Sequence, residues 1–166
     1  MEHIIHSIEP VFDAESRVLI LGTMPSPKSR EVQFYYGHPQ NRFWRVLAAV
    51  LGEEVPQSVP EKNAMLLRHR IALWDVLAEC EITGASDSSI RNPVPDDLSV
   101  ILGHAPVQAV FTTGATAWKL YTRLQMPHTG IEAVRLPSTS PANCAVKMEA
   151  LTEAYKAILP CLEPNT

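Results

Sequence analysis

RVLIL, residues 17–21, is a short run of branched apolar residues that Gly22 closes. Such a run is typical of a strand that is buried on both faces of a parallel sheet. Three further runs have this character, namely IALW at 71–74, QAVF at 108–111 and EAVRL at 132–136. Each is followed by a turn and then by a segment with helical spacing. This order predicts an α/β fold, a three-layer α/β/α sandwich around a central, mostly parallel four-stranded sheet.

The segments between these strands predict helices. After Asn41, apolar residues recur at helical intervals until Gly52, where the helix is expected to end. Further helices are expected after Pro60, over 96–101 and 115–124, and from about Ala145 to Leu162. Residues 82–95 are rich in Gly, Ser, Asp and Pro and predict a long loop of the kind that is usually functional or disordered.

Composition favours one globular domain over residues 1–166. The chain is 46% hydrophobic and 19% charged, and its net charge of −4 gives no global attraction to nucleic acid. No apolar run reaches the ~20 residues of a membrane span, and the N-terminus carries no basic leader. Three cysteines without CxxC spacing indicate neither a zinc site nor a disulfide framework. We therefore expect a cytoplasmic monomer without metal, cofactor or membrane partner.

Two segments beside the predicted strands contain side chains that are suited to binding and catalysis. In open α/β sheets the ligand binds beyond the carboxyl ends of the strands, where the turns after the strands meet. FYYGHPQNRFW, at 34–44, combines aromatic rings that can stack on a flat base with amide and imidazole groups. PSTSPAN, at 137–143, offers hydroxyls and backbone N–H groups that suit a phosphate.

These segments resemble the uracil-DNA glycosylase superfamily. GTMPSP at 22–27, YYGHPQNRFW, ALWDVL with SDSSI, and LPSTSPAN are most similar to its hypoxanthine-DNA (deoxyinosine) glycosylase branch. HPQNRFW is also similar to an element of the mismatch-specific uracil glycosylases. The resemblance implies a three-layer α/β/α fold and a monofunctional DNA glycosylase of base-excision repair. Its expected partner is damaged DNA with deaminated bases, hypoxanthine first and uracil as the alternative.

The resemblance also implies roles for individual residues. Met24 stands where mismatch-specific relatives carry the asparagine that positions the attacking water, so this role is expected to pass to Asn41. Tyr36 is expected to stack on the extrahelical base. The other expected base contacts are Thr23, Met24 and Thr113, and the expected DNA contacts are Ser26, Ser138, Thr139, Ser140 and Asn143.

The chemistry of N-glycosidic hydrolysis supports these roles independently. Positive charge develops on the sugar and negative charge on the departing base, and neither requires a metal for its stabilisation. An asparagine carbonyl can accept a hydrogen bond from water and hold the water oxygen below the anomeric carbon. His38, or backbone N–H groups of residues 23–26, can donate a hydrogen bond to the leaving base.

Structural alternatives remain open for several residues. Asn41 and Asn143 could cap helices, and Ser138 and Ser140 could be turn residues. The acidic residues Asp75 and Asp87 are expected to organise loops, because acids repel DNA phosphates. For the whole chain, an inactive nucleic-acid or nucleotide-binding module and a hydrolase of free nucleosides or nucleotides are the alternatives.

Overall fold

The computed structural model describes residues 1–84 and 86–163, within which seven strands and eight α-helices form. The strands are β1 (Glu2–Ile5), β2 (Val18–Gly22), β3 (Ile71–Asp75), β4 (Leu77–Ile82), β5 (Arg91–Pro95), β6 (Ala109–Thr113) and β7 (Ala133–Leu136). The helices are α1 (Pro27–Val32), α2 (Phe43–Leu51), α3 (Val59–Arg68), α4 (Ser99–Leu102), α5 (Ala115–Leu120), α6 (Met126–Thr129), α7 (Met148–Tyr155) and α8 (Leu159–Leu162).

The central sheet has the strand order β3-β2-β6-β7, and every neighbouring pair is parallel. Every residue of β2 and β3 is buried, although side chains along a strand alternate between the two faces. Both faces of the sheet are therefore covered by other layers. The predicted α/β sandwich with a parallel four-stranded sheet is confirmed.

A second, antiparallel sheet with the order β1-β4-β5 was not predicted. The expected loop over 82–95 is wrong for its C-terminal part, because Arg91–Pro95 forms β5. Pro93 and Pro95 argue against a strand in a sequence, but β5 is an edge strand, where a missing N–H is tolerated. The short β1 begins the chain, and its residues are mostly exposed.

The helix after Asn41 is confirmed as α2, which ends at Gly52 with a φ of 69°. The closing helix begins at Met148, not near Ala145, because the backbone of Lys147 is extended with a ψ of 157°; residues 141–143 form a separate 3₁₀ turn. The C-terminal helical region is also divided, with a 3₁₀ turn at Lys156–Ile158 between α7 and α8. None of the helices in the described ranges is long and apolar enough to cross a membrane.

Candidate active site

A cavity of about 350 Å³ opens at the carboxyl ends of β2, β3 and β6, within the size range of small-molecule sites. Gly22, Asp75 and Thr113 are the last residues of these three strands, and all line the cavity. Ser29 of α1 and Ile82 of β4 also line it, and the rest of the lining comes from the segments between the regular elements, namely Thr23, Met24, Pro25, Ser26, Tyr35, Tyr36, His38, Asn41, Gly84, Asp87, Ser138, Thr139, Ser140, Pro141 and Ala142. The structure thus brings together every predicted site residue except Asn143.

Tyr36 presents an aromatic ring to the cavity and is supported from behind. Its ring stacks on Phe43 of α2, with 3.9 Å between centroids and 14° between planes. Its hydroxyl lies 3.1 Å from Oγ1 of Thr113. Burial, and then the negative charge of Asp75, raise the pKa of Tyr36 well above its ordinary value, so the hydroxyl stays neutral. The ring is fixed at both ends.

The backbone separates the roles of the two adjacent tyrosines. Tyr36 has a φ of 52°, a conformation that is uncommon for a residue with a side chain and is often found at functional sites. Tyr35 is 2% exposed, and its hydroxyl donates to the carbonyl of Glu9 over 2.7 Å. Its backbone carbonyl accepts the indole N–H of Trp44 at 3.1 Å. Tyr35 is thus held in the core, and Tyr36 is the ring with a partly open face.

Asn41 connects the start of α2 to the turn at residues 137–143. Its Oδ1 accepts the backbone N–H of Phe43 at 2.9 Å and the hydroxyl of Thr139 at 2.8 Å. A backbone N–H can only donate, so this contact identifies Oδ1 as the carbonyl oxygen. An amide oxygen has two lone pairs, and both are used here. The expectation that this oxygen accepts a hydrogen bond from water therefore does not fit, and the side-chain NH₂ is the group left to act in the cavity.

His38 lies at the exposed mouth of the cavity. Its Nδ1 accepts the backbone N–H of Gln40 at 3.1 Å. The neutral ring must then carry its proton on Nε2. This tautomer gives His38 the free N–H that a hydrogen bond to a departing base requires.

The first turn is joined to the segment that carries Tyr36 and His38. Ser26 caps α1 by accepting the N–H of Ser29 at 3.2 Å, and its hydroxyl donates to Oγ of Ser29 at the same distance. Oγ of Ser29 also accepts the N–H of Gly37 at 2.9 Å. Met24, an expected base contact, lines the cavity and packs against the core.

The turn at residues 137–143 is held by its own side chains. Oγ of Ser138 accepts the N–H of Ser140 at 3.1 Å, and Oγ of Ser140 accepts the N–H of Ala142 at 3.2 Å. The amide of Asn143 donates to the carbonyl of Ser138 at 2.9 Å. Asn143 therefore stabilises the turn, and the side chain of Thr139, 1% exposed and bonded to Asn41, does not reach the surface. The expected DNA contact through the side chain of Thr139 does not fit its position, whereas the expected contact of Asn143, which is partly exposed, stays a prediction.

Sequence reasoning missed Arg42 as a support of this turn. Its guanidinium donates to the carbonyls of Val146 and Asn143 at 2.6 and 3.1 Å. Its backbone N–H donates to the carbonyl of Thr139 at 3.1 Å. Two consecutive residues, Asn41 and Arg42, thus hold the turn.

The pair formed by His6 and Asp75 is a second feature that was missed. Nε2 of His6 lies 2.8 Å from Oδ2 of Asp75, and the two side chains are 3% and 5% exposed. Burial alone lowers the pKa of His6, but the hydrogen bond and charge of Asp75, with Asp96 and Glu9, raise it overall. The position of Asp75 directly after IALW could have indicated a strand-end site residue. His6 lies in a segment without any motif.

Comparisons with known proteins place this geometry in context. A sequence profile of the Uracil DNA glycosylase superfamily matches residues 9–160, which include every residue that lines the cavity but not His6. A Hypoxanthine DNA glycosylase of Methanosarcina acetivorans is 36% identical over 135 residues, 80% of this chain and 84% of the relative. A Hypoxanthine DNA glycosylase of Methanosarcina barkeri is 37% identical over 99 residues, 58% of this chain and 62% of the relative.

A solved structure agrees with these sequence matches. The solution NMR structure of a protein described as a candidate Uracil DNA glycosylase from Methanosarcina acetivorans matches with a TM-score of 0.77 at 29% sequence identity. The match covers 93% of this chain and 98% of that chain.

Proposed function

The chain belongs to the Uracil DNA glycosylase superfamily, and from that premise we propose that it hydrolyses the N-glycosidic bond of deoxyinosine in DNA and releases hypoxanthine. Relatives at 36% and 37% identity carry the name Hypoxanthine DNA glycosylase, which supports this base over uracil. The observation that carries the proposal is the cavity that is lined both by the ring of Tyr36, which stacks on Phe43, and by the amide of Asn41.

The base has to leave the DNA helix before it can enter this cavity. Unstacking costs a few kcal/mol, and it costs least for a mismatched base. Stacking on an aromatic side chain returns ~1–3 kcal/mol per base. Tyr36 can supply this contact without reorganising, since Phe43 supports its far face and Thr113 its hydroxyl.

Asn41 is proposed to position the attacking water through its NH₂ group. The hydrogen bonds from Phe43 and Thr139 fix the amide plane by its oxygen. An N–H that donates to one lone pair of a water molecule leaves the other lone pair to attack the anomeric carbon, and the proton that the water then loses balances the charge of the departing base, which leaves as base–H. The gain comes from orientation more than from basicity, because the cationic sugar of the transition state reacts with a weak nucleophile.

His38 is proposed to stabilise the leaving base. Negative charge collects on the base as the glycosidic bond breaks, and a donor directed at it lowers the barrier. The Nε2–H of His38 has the required character because Nδ1 is already an acceptor for Gln40. No lysine lines this cavity among the described residues, so we propose hydrolysis by water without a Schiff base or strand cleavage.

Contacts with the DNA strand are proposed for the hydroxyls of Ser138 and Ser140, whereas the hydroxyl of Ser26 already donates to Ser29 and leaves only the backbone of Ser26 for such a contact. Ser138 and Ser140 use an oxygen lone pair to accept a backbone N–H, and each keeps its own O–H as a donor for a phosphate. Lys28 of α1 follows Ser26 closely in the sequence, but its ammonium pairs with Glu31 at 3.3 Å. Local contacts such as those of the two serine hydroxyls are needed because the net charge of the chain is −4.

The test uses duplexes that contain a single deoxyinosine or deoxyuridine, incubated with the protein and then treated with alkali. We expect alkali-labile sites with deoxyinosine, and fewer with deoxyuridine. No product from either duplex would refute the proposal, and binding without base release would identify an inactive binding module. Activity on free inosine or its phosphate, without activity on DNA, would identify a hydrolase of free nucleosides or nucleotides.

A further inference from the structure

The carboxylate of Asp75 has one oxygen that is held and one that is open to the cavity. Oδ2 accepts from Nε2 of His6 at 2.8 Å. Oδ1 lies over Gly22, its register partner on β2, where a Cβ would come within 2.6 Å of it. Within the described part of the chain, Oδ1 accepts no hydrogen bond from protein. An acceptor therefore lies at the floor of the cavity without a partner.

The surroundings of Asp75 leave this negative charge available to a ligand. No lysine or arginine lines the cavity among residues 1–84 and 86–163. Asp87 also lines the cavity, and burial, and then the nearby charge of Asp75, raise its pKa. The charges of Asp96 and Glu9 act on His6. His6 is the cation-forming group that touches the carboxylate. A group that donates a hydrogen bond is strongly favoured at this position over one that accepts.

Deamination changes one ring nitrogen of a base from a hydrogen-bond acceptor to a donor. N1 of adenine is an acceptor, whereas N1 of hypoxanthine carries a hydrogen, and N3 of cytosine and uracil differ in the same way. An ionised carboxylate can only accept hydrogen bonds. It attracts the ring N–H of the damaged base and repels the lone pair of its undamaged parent.

We propose that Asp75 recognises the ring N–H of the flipped base, and that His6 is the positioning residue that directs Oδ1 of Asp75 towards it. This inference rests on the proposed function and adds the group that separates hypoxanthine from adenine. Guanine and thymine also carry a ring N–H. Their exclusion must come from their other substituents and from their stable pairing, which resists flipping.

The geometry of His6 defines how it positions Asp75. The backbone N–H of Ile8 donates to Nδ1 of His6 at 3.3 Å, which leaves the proton on Nε2, facing Asp75. The ring also lies against Tyr35 and edge-on to Trp74, with centroids 6.2 and 6.3 Å away. His6 therefore acts as a donor with a fixed direction.

This directionality makes Asp75→Asn a sharp test. An asparagine at position 75 would turn its carbonyl oxygen to His6 and its NH₂ group to the cavity, because His6 donates. A donor would then face the N1–H of hypoxanthine. We expect the single-turnover rate on deoxyinosine to fall by at least about 10²-fold, since the site leaves a buried polar group unpaired.

The double variant His6→Ala/Asp75→Asn tests the positioning role. Without His6 the amide is free to rotate and present its oxygen, so we expect deoxyinosine activity to recover at least about tenfold over Asp75→Asn alone. A role in stability alone predicts no such rescue. Failure to recover, with a folded double variant, would overturn the role of His6.

A modified substrate tests Asp75 itself. The wild-type protein is expected to process 1-methyl-deoxyinosine, which lacks the N1–H, at least about 10²-fold more slowly than deoxyinosine. The Asp75→Ala variant should process the two substrates at similar rates. If the wild-type protein processes both substrates equally, or if Asp75→Asn keeps full activity, the inference is wrong although hypoxanthine release would still stand. Release of neither hypoxanthine nor uracil from any duplex would instead refute the proposed function.

Glu79→Gln is the matched control. Glu79 pairs with His3 at 3.3 Å on the neighbouring strands β4 and β1, but this pair is exposed and outside the cavity. The Glu79→Gln variant should release hypoxanthine at the rate of the wild-type protein. Circular dichroism melting of each variant verifies folding, and the isosteric Asp75→Asn carries the test if Asp75→Ala does not fold.

Discussion

Replacing Asn41 by aspartate separates two roles that alanine would remove together. Aspartate can accept both hydrogen bonds that now reach Oδ1, from the N–H of Phe43 and the hydroxyl of Thr139. It differs by presenting a second oxygen where Asn41 presents its NH₂ group. Asn41→Asp should therefore leave the fold intact and abolish the donor that we propose for the attacking water.

The expected magnitudes follow from these contacts. Asn41→Ala loses the hydrogen bond that its side chain accepts from the first N–H of α2, that of Phe43, which is worth about 0.5–2 kcal/mol by analogy with helix caps. It also leaves the hydroxyl of Thr139, which is 1% exposed, without a partner, at about 1–3 kcal/mol. Together these lower the free energy of unfolding by about 1.5–5 kcal/mol, whereas Asn41→Asp should change it by less than about 0.5 kcal/mol. The excision rate of both variants should fall by about 10²–10³-fold, typical of losing one oriented donor.

Two measurements decide between the roles. Thermal unfolding followed by circular dichroism gives the stability of each variant, and single-turnover release of hypoxanthine from a deoxyinosine duplex gives the rate. Wild-type activity in a folded Asn41→Asp variant would refute the assignment of the NH₂ group. It would show that the residue acts by accepting a hydrogen bond.

Three further predictions concern the floor and the supports of the site. Gly22→Ala should lower the excision rate by about 10²-fold or more, because its Cβ would lie 2.6 Å from Oδ1 of Asp75; an unchanged single-turnover rate would contradict this. Tyr155→Phe removes the donor to the carbonyl of Pro137, at 2.7 Å, and should lower the free energy of unfolding in urea by about 1–3 kcal/mol; unchanged stability would contradict it. Burial raises the pKa of Asp96 to about 6, so its contribution to stability is complete below its unfolded pKa and is lost as the pH rises through 6. Asp96→Asn should therefore gain roughly 2 kcal/mol over the wild-type protein between pH 4 and pH 8, and a constant difference in denaturant melts would be the contrary result.

The central sheet could be predicted because its strands are buried on both faces. Continuous apolar runs such as 17–21 and 71–74 have this cause, and all of their residues but Arg17 are buried. The antiparallel sheet escaped prediction for the opposite reason. β1 and β5 are mostly exposed, and β5 contains two prolines, so neither has a hydrophobic pattern.

The part of the site that lies within one short segment could be predicted from the sequence. Tyr36, His38 and Asn41 lie within six residues, and their turn follows a recognisable strand. The contact of Asn41 with Thr139 could not be predicted, because the two residues are 98 positions apart in the sequence. The same holds for His6 and Asp75, which are 69 positions apart and meet only through the fold.

The hydrogen bond between Thr139 and Asn41 has a consequence for protein engineering. Loop exchange between relatives normally treats each surface turn as a separate cassette. Here the turn at 137–143 and the segment at 34–44 share a partly buried hydrogen bond of 2.8 Å and the backbone contact of Arg42. A chimaera that imports only one of them would leave position 41 without its anchor, so the two segments must be transplanted as a single unit.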